Sequence, residues 1–191
     1  MGWMFYRCKN LTNINLSNFN TISTRDFDVM FYGCVSLKSI DVTKFNTTSA
    51  HNMSTMFGEC SSLTNLDLSN FETSNVVNMN RMLSGCSSLE SIDLSNFDTS
   101  QVIDMGQMFR NCENLKSLNL NNFNTLNVVD MEWIFYECYK LESLDISSFR
   151  TPKVKSMGAM FVRCKSLTTI DVSQFDTTQV IDVFNILKIV H

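Results

Sequence analysis

Seven cysteines are the residues of this chain best suited to chemistry. They stand at Cys8, Cys34, Cys60, Cys86, Cys112, Cys138 and Cys164, and every gap is 26 residues. Thiols in such a series could pair as disulfides, hold a metal or cycle between redox states. Their number is odd, so complete internal pairing is excluded. No Cys-x-x-Cys pair occurs, and histidine is limited to His51 and His191, so the spacing of a zinc site is missing. Each Cys also closes an apolar pattern. Met105, Met108, Phe109 and Cys112 fall at i, i+3, i+4 and i+7, one face of a helix of about two turns. Asp104 precedes it where an N-cap belongs. The cysteines are therefore expected to be reduced, small hydrophobes in a core.

Carboxylates form the second candidate set. Seven residues after each Cys stands Asn15, Asp41, Asp67, Asp93, Asn119, Asp145 or Asp171. Each lies between two aliphatic residues of an alternating stretch, so its side chain should leave the sheet on the solvent side. Like charges on neighbouring strands repel by a few tenths to about 1 kcal/mol per pair, so this ladder needs compensation. Hydrogen bonding to nearby Ser and Asn is one source. A basic partner, or Ca²⁺ held by hard oxygen ligands, is another. Asp41, Asp67, Asp93, Asp145 and Asp171 are the candidate binding strip.

Catalysis finds no constellation. One internal histidine cannot serve a Ser/His/Asp or Cys/His set, no phosphate-cradling glycine loop occurs, and the carboxylates repeat rather than form one unlike pair. A chemical site breaks symmetry, and symmetry breaks in few places here. Trp133, Tyr136 and Tyr139, with Lys140, put aromatic rings where other repeats are small or polar. Arg150-Thr151-Pro152-Lys153-Val154-Lys155 is a basic cluster on an acidic chain. Both are candidate local contact patches.

The elements that carry these residues are units of one repeat. Counting from each Cys, Leu follows at three, Ile or Leu at six and an aliphatic residue at eight; Phe is invariant at eleven and Thr at thirteen. Ser91-Ile92-Asp93-Leu94-Ser95 alternates with the two-residue period of a half-buried strand. Asn96-Phe97-Asp98-Thr99-Ser100 is rich in residues that close turns on their own backbone. One coil is thus expected to hold a strand, a polar turn around a buried Phe, and a short helix. A lone coil cannot cover its apolar face, but stacked coils can. The expectation is one domain over residues 1–191, a rod of roughly 30–35 Å at about 4.8 Å per coil. Residues 183–191 keep an apolar pattern without Met or Cys and read as a degenerate terminal coil.

Composition limits the partners. The chain has 191 residues, 44% of them hydrophobic, a net charge of −4 and a pI of about 5.1. No basic stripe occurs, which argues against nucleic acid as the partner. No stretch reaches the ~18–20 apolar residues of a membrane span. The opening residues read as part of a repeat rather than as a signal peptide, and neither end carries the polar cap a solenoid normally has. The chain is therefore expected to be a piece of a longer array, or to associate end to end through bare coils.

Leu89-x-x-Ile92-x-Leu94 opens like a leucine-rich repeat. The unit Met82-Leu83-x-x-Cys86-Ser87-Ser88-Leu89-x-x-Ile92-Asp93-Leu94-Ser95-Asn96-Phe97-Asp98-Thr99-Ser100, and Met56-Phe57-x-x-Cys60-x-x-Leu63 before it, resemble the BspA-like leucine-rich-repeat surface proteins. The resemblance implies an α/β, leucine-rich-repeat-like solenoid of about seven 26-residue coils, each a short parallel strand plus a short helix. It also implies display at a cell surface, or secretion, with adhesive or protein-binding roles. Phe97 stands where common leucine-rich repeats carry Asn, so the usual asparagine ladder is expected to be absent. Taken together, the sequence points to a non-enzymatic repeat protein, without cofactors, that offers its sheet face to a protein or glycan. The alternative is a spacer array with no dedicated ligand.

Overall fold

The computed structural model describes residues 1–182; the degenerate coil expected at 183–191 lies outside them. Parallel bridges join Asp26 to Asn52, Asn52 to Asn78, Asn78 to Asp104, Asp104 to Asp130, Asp130 to Ser156 and Ser156 to Asp182. Each step is one repeat unit, so equivalent residues of successive units lie side by side, as in a solenoid. Two strands are regular enough to name: β1 (Ser117–Asn119) and β2 (Ser143–Asp145). They pair in parallel with Leu118 opposite Leu144. The equivalent stretch of earlier coils is joined by fewer backbone bonds, such as the Thr64 N–H on the Lys38 carbonyl at 3.1 Å, and builds no ladder.

The expected helices are absent among the described residues. Met105, Met108, Phe109 and Cys112 are all fully buried, so the helical spacing correctly marks which side chains face inward. The backbone carrying them is a run of tight turns. The N–H groups of Met108, Arg110 and Cys112 turn back onto the carbonyls of Met105, Gln107 and Phe109. The intervening N–H groups, of Met105, Gln107, Phe109 and Asn111, donate to Asp130, Glu132, Ile134 and Tyr136 of the next coil at 2.8–3.0 Å. Alternate amides thus serve the turn and the stack, and every one has an acceptor. The physical reason is pitch. An α-helix with its side chains is about 10–12 Å across, whereas hydrogen-bonded coils sit about 4.8 Å apart. Helices cannot stack at that spacing, so the segment flattens. Asp104 accordingly caps a turn rather than a helix, accepting the Gly106 N–H at 2.9 Å.

Flattening forces positive φ on residues that are not glycine. Val29 (60°), Thr55 (56°), Arg81 (54°), Gln107 (60°) and Trp133 (58°) occupy one column in the left-handed region. A residue with a Cβ is raised there by about 1–2 kcal/mol. The second such column holds Arg7, Glu59, Asn111, Glu137 and Arg163, with Gly33 and Gly85 in between.

Buried side chains lock coil to coil. Phe109, Phe135 and Phe161 stack with centroids 5.8 Å apart and rings within about 11° of parallel. Thr99, 1% exposed, donates its hydroxyl to the Asn124 carbonyl at 3.0 Å and accepts the Asn124 N–H at 2.8 Å. Thr47, Thr73 and Thr125 do the same for Glu72, Asp98 and Arg150. An asparagine ladder is also present, against the sequence expectation, and sits one residue before the Phe. The Asn96 amide donates to the carbonyls of Leu68 and Phe71, Asn122 to those of Leu94 and Phe97, and Ser148 takes the role once.

Candidate functional site: an aromatic and arginine strip on the turn wall

The thiols belong to the scaffold. Cys60 Sγ lies 3.2 Å from the Phe31 carbonyl of the preceding coil, and Cys86, Cys112, Cys138 and Cys164 repeat the contact at 3.0–3.3 Å. All seven cysteines are free. Burial pushes the Cys34 thiol up from 9.0 to about 11, with neighbouring Cys8 adding to the effect, and the Cys164 thiol up to about 12. A folded-state pKa above the unfolded one means that the native state holds the proton longer. The associated stability is complete below pH 9 and drains away as pH rises through 11 to 12. Alkaline unfolding should therefore begin above pH 9 and be delayed in a Cys34→Ala/Cys164→Ala variant. Circular dichroism across pH 8–12 reads the two curves directly.

The acidic ladder points outward as expected. Asp41, Asp67, Asp93 and Asp171 are exposed and Asp145 is half-exposed. Each carboxylate closes its own turn. Asp67 Oδ1 accepts the Ser69 N–H at 2.9 Å, and Asp41, Asp93, Asp145 and Asp171 accept the N–H two residues on at 2.9–3.0 Å. For Asp67 the Ser69 side-chain and backbone bonds hold the carboxyl below its ordinary range, outweighing the opposing charges of Asp41 and Asp93. The ladder is thus compensated from within the chain. Among the described residues no group of three or more His, Cys, Asp or Glu side chains is placed to hold a metal ion.

The aromatic candidates separate. Trp133 and Tyr136 stack with centroids 5.1 Å apart, and the Arg110 guanidinium lies 4.9 Å from the Trp133 centroid and 5.6 Å from that of Tyr136. Both contacts are within cation–π range. Tyr139 stands apart, beneath Lys165 at 5.1 Å, and Glu137 beside it pairs with Arg163. In the basic cluster, Arg150 spends one guanidinium nitrogen on the carbonyls of Ser147 and Phe149, and Lys153 donates to Asn127 at 2.7 Å.

Trp133 and Tyr136 have counterparts that the sequence reading missed. Trp3 shares the column of Trp133, and Tyr6 and Tyr32 share that of Tyr136. Trp3 packs on Tyr6 at 5.0 Å, Tyr6 stacks on Tyr32 at 5.6 Å, and Arg7 lies 5.3 Å and 5.9 Å from the two tyrosine centroids. Between the clusters, Gln107 Oε1 accepts from Arg81 Nε at 2.9 Å and from Arg110 at 3.3 Å, which ties the two guanidinium groups together. Of the six arginines, only Arg25 and Arg150 lie away from this wall. Aligning the repeats at the positions two and five before each Cys would have shown it. Trp3 (φ 64°) and Trp133 (φ 58°) share the left-handed column of the turn wall.

A separate groove runs along an edge of the coils. Val77, Ile103 and Val129 line it together with Gln101, Asn127 and Lys153, over about 410 Å³, and Ile103 is 50% exposed. No described helix is long and apolar enough to cross a membrane.

Comparison with known proteins gives the following. No curated protein matches. Two solved structures are similar: a leucine-rich cell surface protein from Faecalibacterium prausnitzii A2-165 and a leucine-rich repeat protein from Bacteroides ovatus ATCC 8483. The first is 18% identical with a TM-score of 0.43, over 73% of this chain and 34% of the other. The second is 21% identical with a TM-score of 0.40, over 87% and 50%. The chain spans half or less of the length of either. At the level of family the match is direct: residues 1–92 and 85–190 fit the family described as "Mycoplasma protein of unknown function, DUF285", and the chain belongs to it.

Proposed function

We propose that this is a non-enzymatic repeat protein of bacterial-surface type that binds a protein or glycan partner, and that the turn wall is the binding face. The supporting observation is the pair of cation–aromatic clusters, Trp3-Tyr6-Arg7-Tyr32 and Arg110-Trp133-Tyr136, on the same wall. Tryptophan, tyrosine and arginine dominate the binding energy of interfaces, and here they are already stacked, so less side-chain freedom is lost on binding. The acidic strip is the weaker candidate, because its carboxylates are engaged in their own turns. The resemblance of the repeat unit to BspA-like proteins supports the surface setting.

The test compares the intact chain with a Trp133→Ala/Arg110→Ala variant and an Asp67→Ser/Asp93→Ser variant, on immobilised polysaccharides, mucin and matrix proteins. A loss of tenfold or more in affinity, about 1.4 kcal/mol, is expected for the turn-wall variant alone. Equal binding by all three chains would remove the turn wall as the site. Absence of binding to every surface would favour a spacer.

A further inference from the structure

The tyrosine column on the turn wall is interrupted. Tyr6, Tyr32 and Tyr136 occupy it, but Gly58 and Ser84 stand in the two coils after Tyr32, and Arg110 follows. The Tyr32 ring leans over Gly58, with its Cδ2 only 3.0 Å from where a Cβ would sit. Beyond it the missing rings leave a slot of about 110 Å³. Tyr32 closes one end, Arg110 the other, and Arg81, Glu59 and Ser84 line the space between. Arg110 Nε is buried without a protein partner. Gly85, at φ 76°, lets Glu59 close in: a Cβ there would lie 2.7 Å from the carboxyl carbon.

From this lining we infer that the slot binds a short run of sugar units of a linear, uncharged glycan. The inference rests on the turn wall being the binding face, and adds the ligand class and the position. Arginines only donate and Glu59 only accepts, while Ser84 does both. A ligand satisfying all of them must itself donate and accept at close spacing, as vicinal hydroxyls do. A carboxylated or sulfated unit would meet Glu59, and a cationic one Arg81 and Arg110. The Tyr32 ring at one end suits the C–H face of a pyranose ring. The coil spacing of about 4.8 Å is close to the advance of one sugar along an extended chain, so successive units would meet successive coils. An extended peptide, at about 3.3 Å per residue, falls out of step.

The experiment is affinity electrophoresis of the full chain through gels containing mannan, dextran, hydroxyethyl cellulose or heparin. Retardation by at least one of the three uncharged polymers is expected. Ser84→Tyr, which places in the gap the residue that the same column carries at Tyr32 and Tyr136, should abolish it, and Arg81→Ala should weaken it at least fivefold. Circular dichroism of both variants confirms that they fold. Retardation by heparin alone would overturn the inference. So would uncharged-polymer binding that survives Ser84→Tyr and Arg81→Ala; if Trp133→Ala/Arg110→Ala then removes it, the turn wall stands as the binding face and only the slot is wrong. No retardation by any uncharged polymer overturns the ligand class, and binding of matrix proteins in the first test would still preserve the face.

Discussion

Replacing Thr99 by Val should lower the stability of the chain by about 3 kcal/mol, although the two side chains have nearly the same shape. The Thr99 hydroxyl serves both polar groups of Asn124, its carbonyl at 3.0 Å and its N–H at 2.8 Å. Valine leaves both without their partner in a part-buried junction, where each such group costs about 1–3 kcal/mol. Thr99→Ser keeps the hydroxyl and should recover most of the loss. Urea unfolding of the three proteins measures the difference. A Thr99→Val midpoint equal to that of the parent would mean that water reaches residue 124 and that the ladder is incidental.

Removing one ring from the phenylalanine stack should cost more. Phe135 is fully buried between Phe109 and Phe161, with both centroids 5.8 Å away. Phe135→Ala should destabilise by about 4–5 kcal/mol, the upper part of the range for buried aromatic truncations, because two ring–ring contacts go with it. In a linear array the damage falls on one coil and its two interfaces. The unfolding transition is therefore expected to broaden or split, with the coils before and after Phe135 losing structure at different denaturant concentrations. Phe135→Leu should cost clearly less than Phe135→Ala, since Leu83 occupies the same column and is fully buried. A single sharp transition for Phe135→Ala, displaced by under 1 kcal/mol, would contradict the stack's role.

These two positions also show what the sequence could and could not reveal. The inward face of the turn segment was legible, because the spacing of Met105, Met108, Phe109 and Cys112 reports burial whatever the backbone does. The backbone was not legible. A helix was expected because that spacing is helical in an isolated segment; the stacking distance that forbids it belongs to the array. The Thr99 series was visible as an invariant position, but its acceptor lies 25 residues on, beyond any local pattern. Phe97 stands where common repeats carry the ladder asparagine, so no ladder was expected, and the ladder stands one residue earlier, at Asn96. On the functional side, Trp133 and Tyr136 stood out as irregular and proved to stack, whereas Tyr139 did not join them. Trp3, Tyr6, Tyr32, Arg81 and Arg110 stand out only beside their equivalents in other coils, 26 residues or a multiple of that away.

The bonds between coils have one further consequence, for how such a gene can change. Thr99, Asn96 and Cys112 each reach an equivalent backbone group in an adjacent coil, so every junction is chemically interchangeable with the next. Recombination that adds or deletes one whole repeat recreates the same junctions at the seam and leaves the molecule about as stable per coil as before. What it alters is the separation between Trp3 and Trp133, in steps of about 4.8 Å. Copy number thereby becomes a heritable ruler, through which lineages could fit the distance between two clusters to a different polymer without a single substitution in the core.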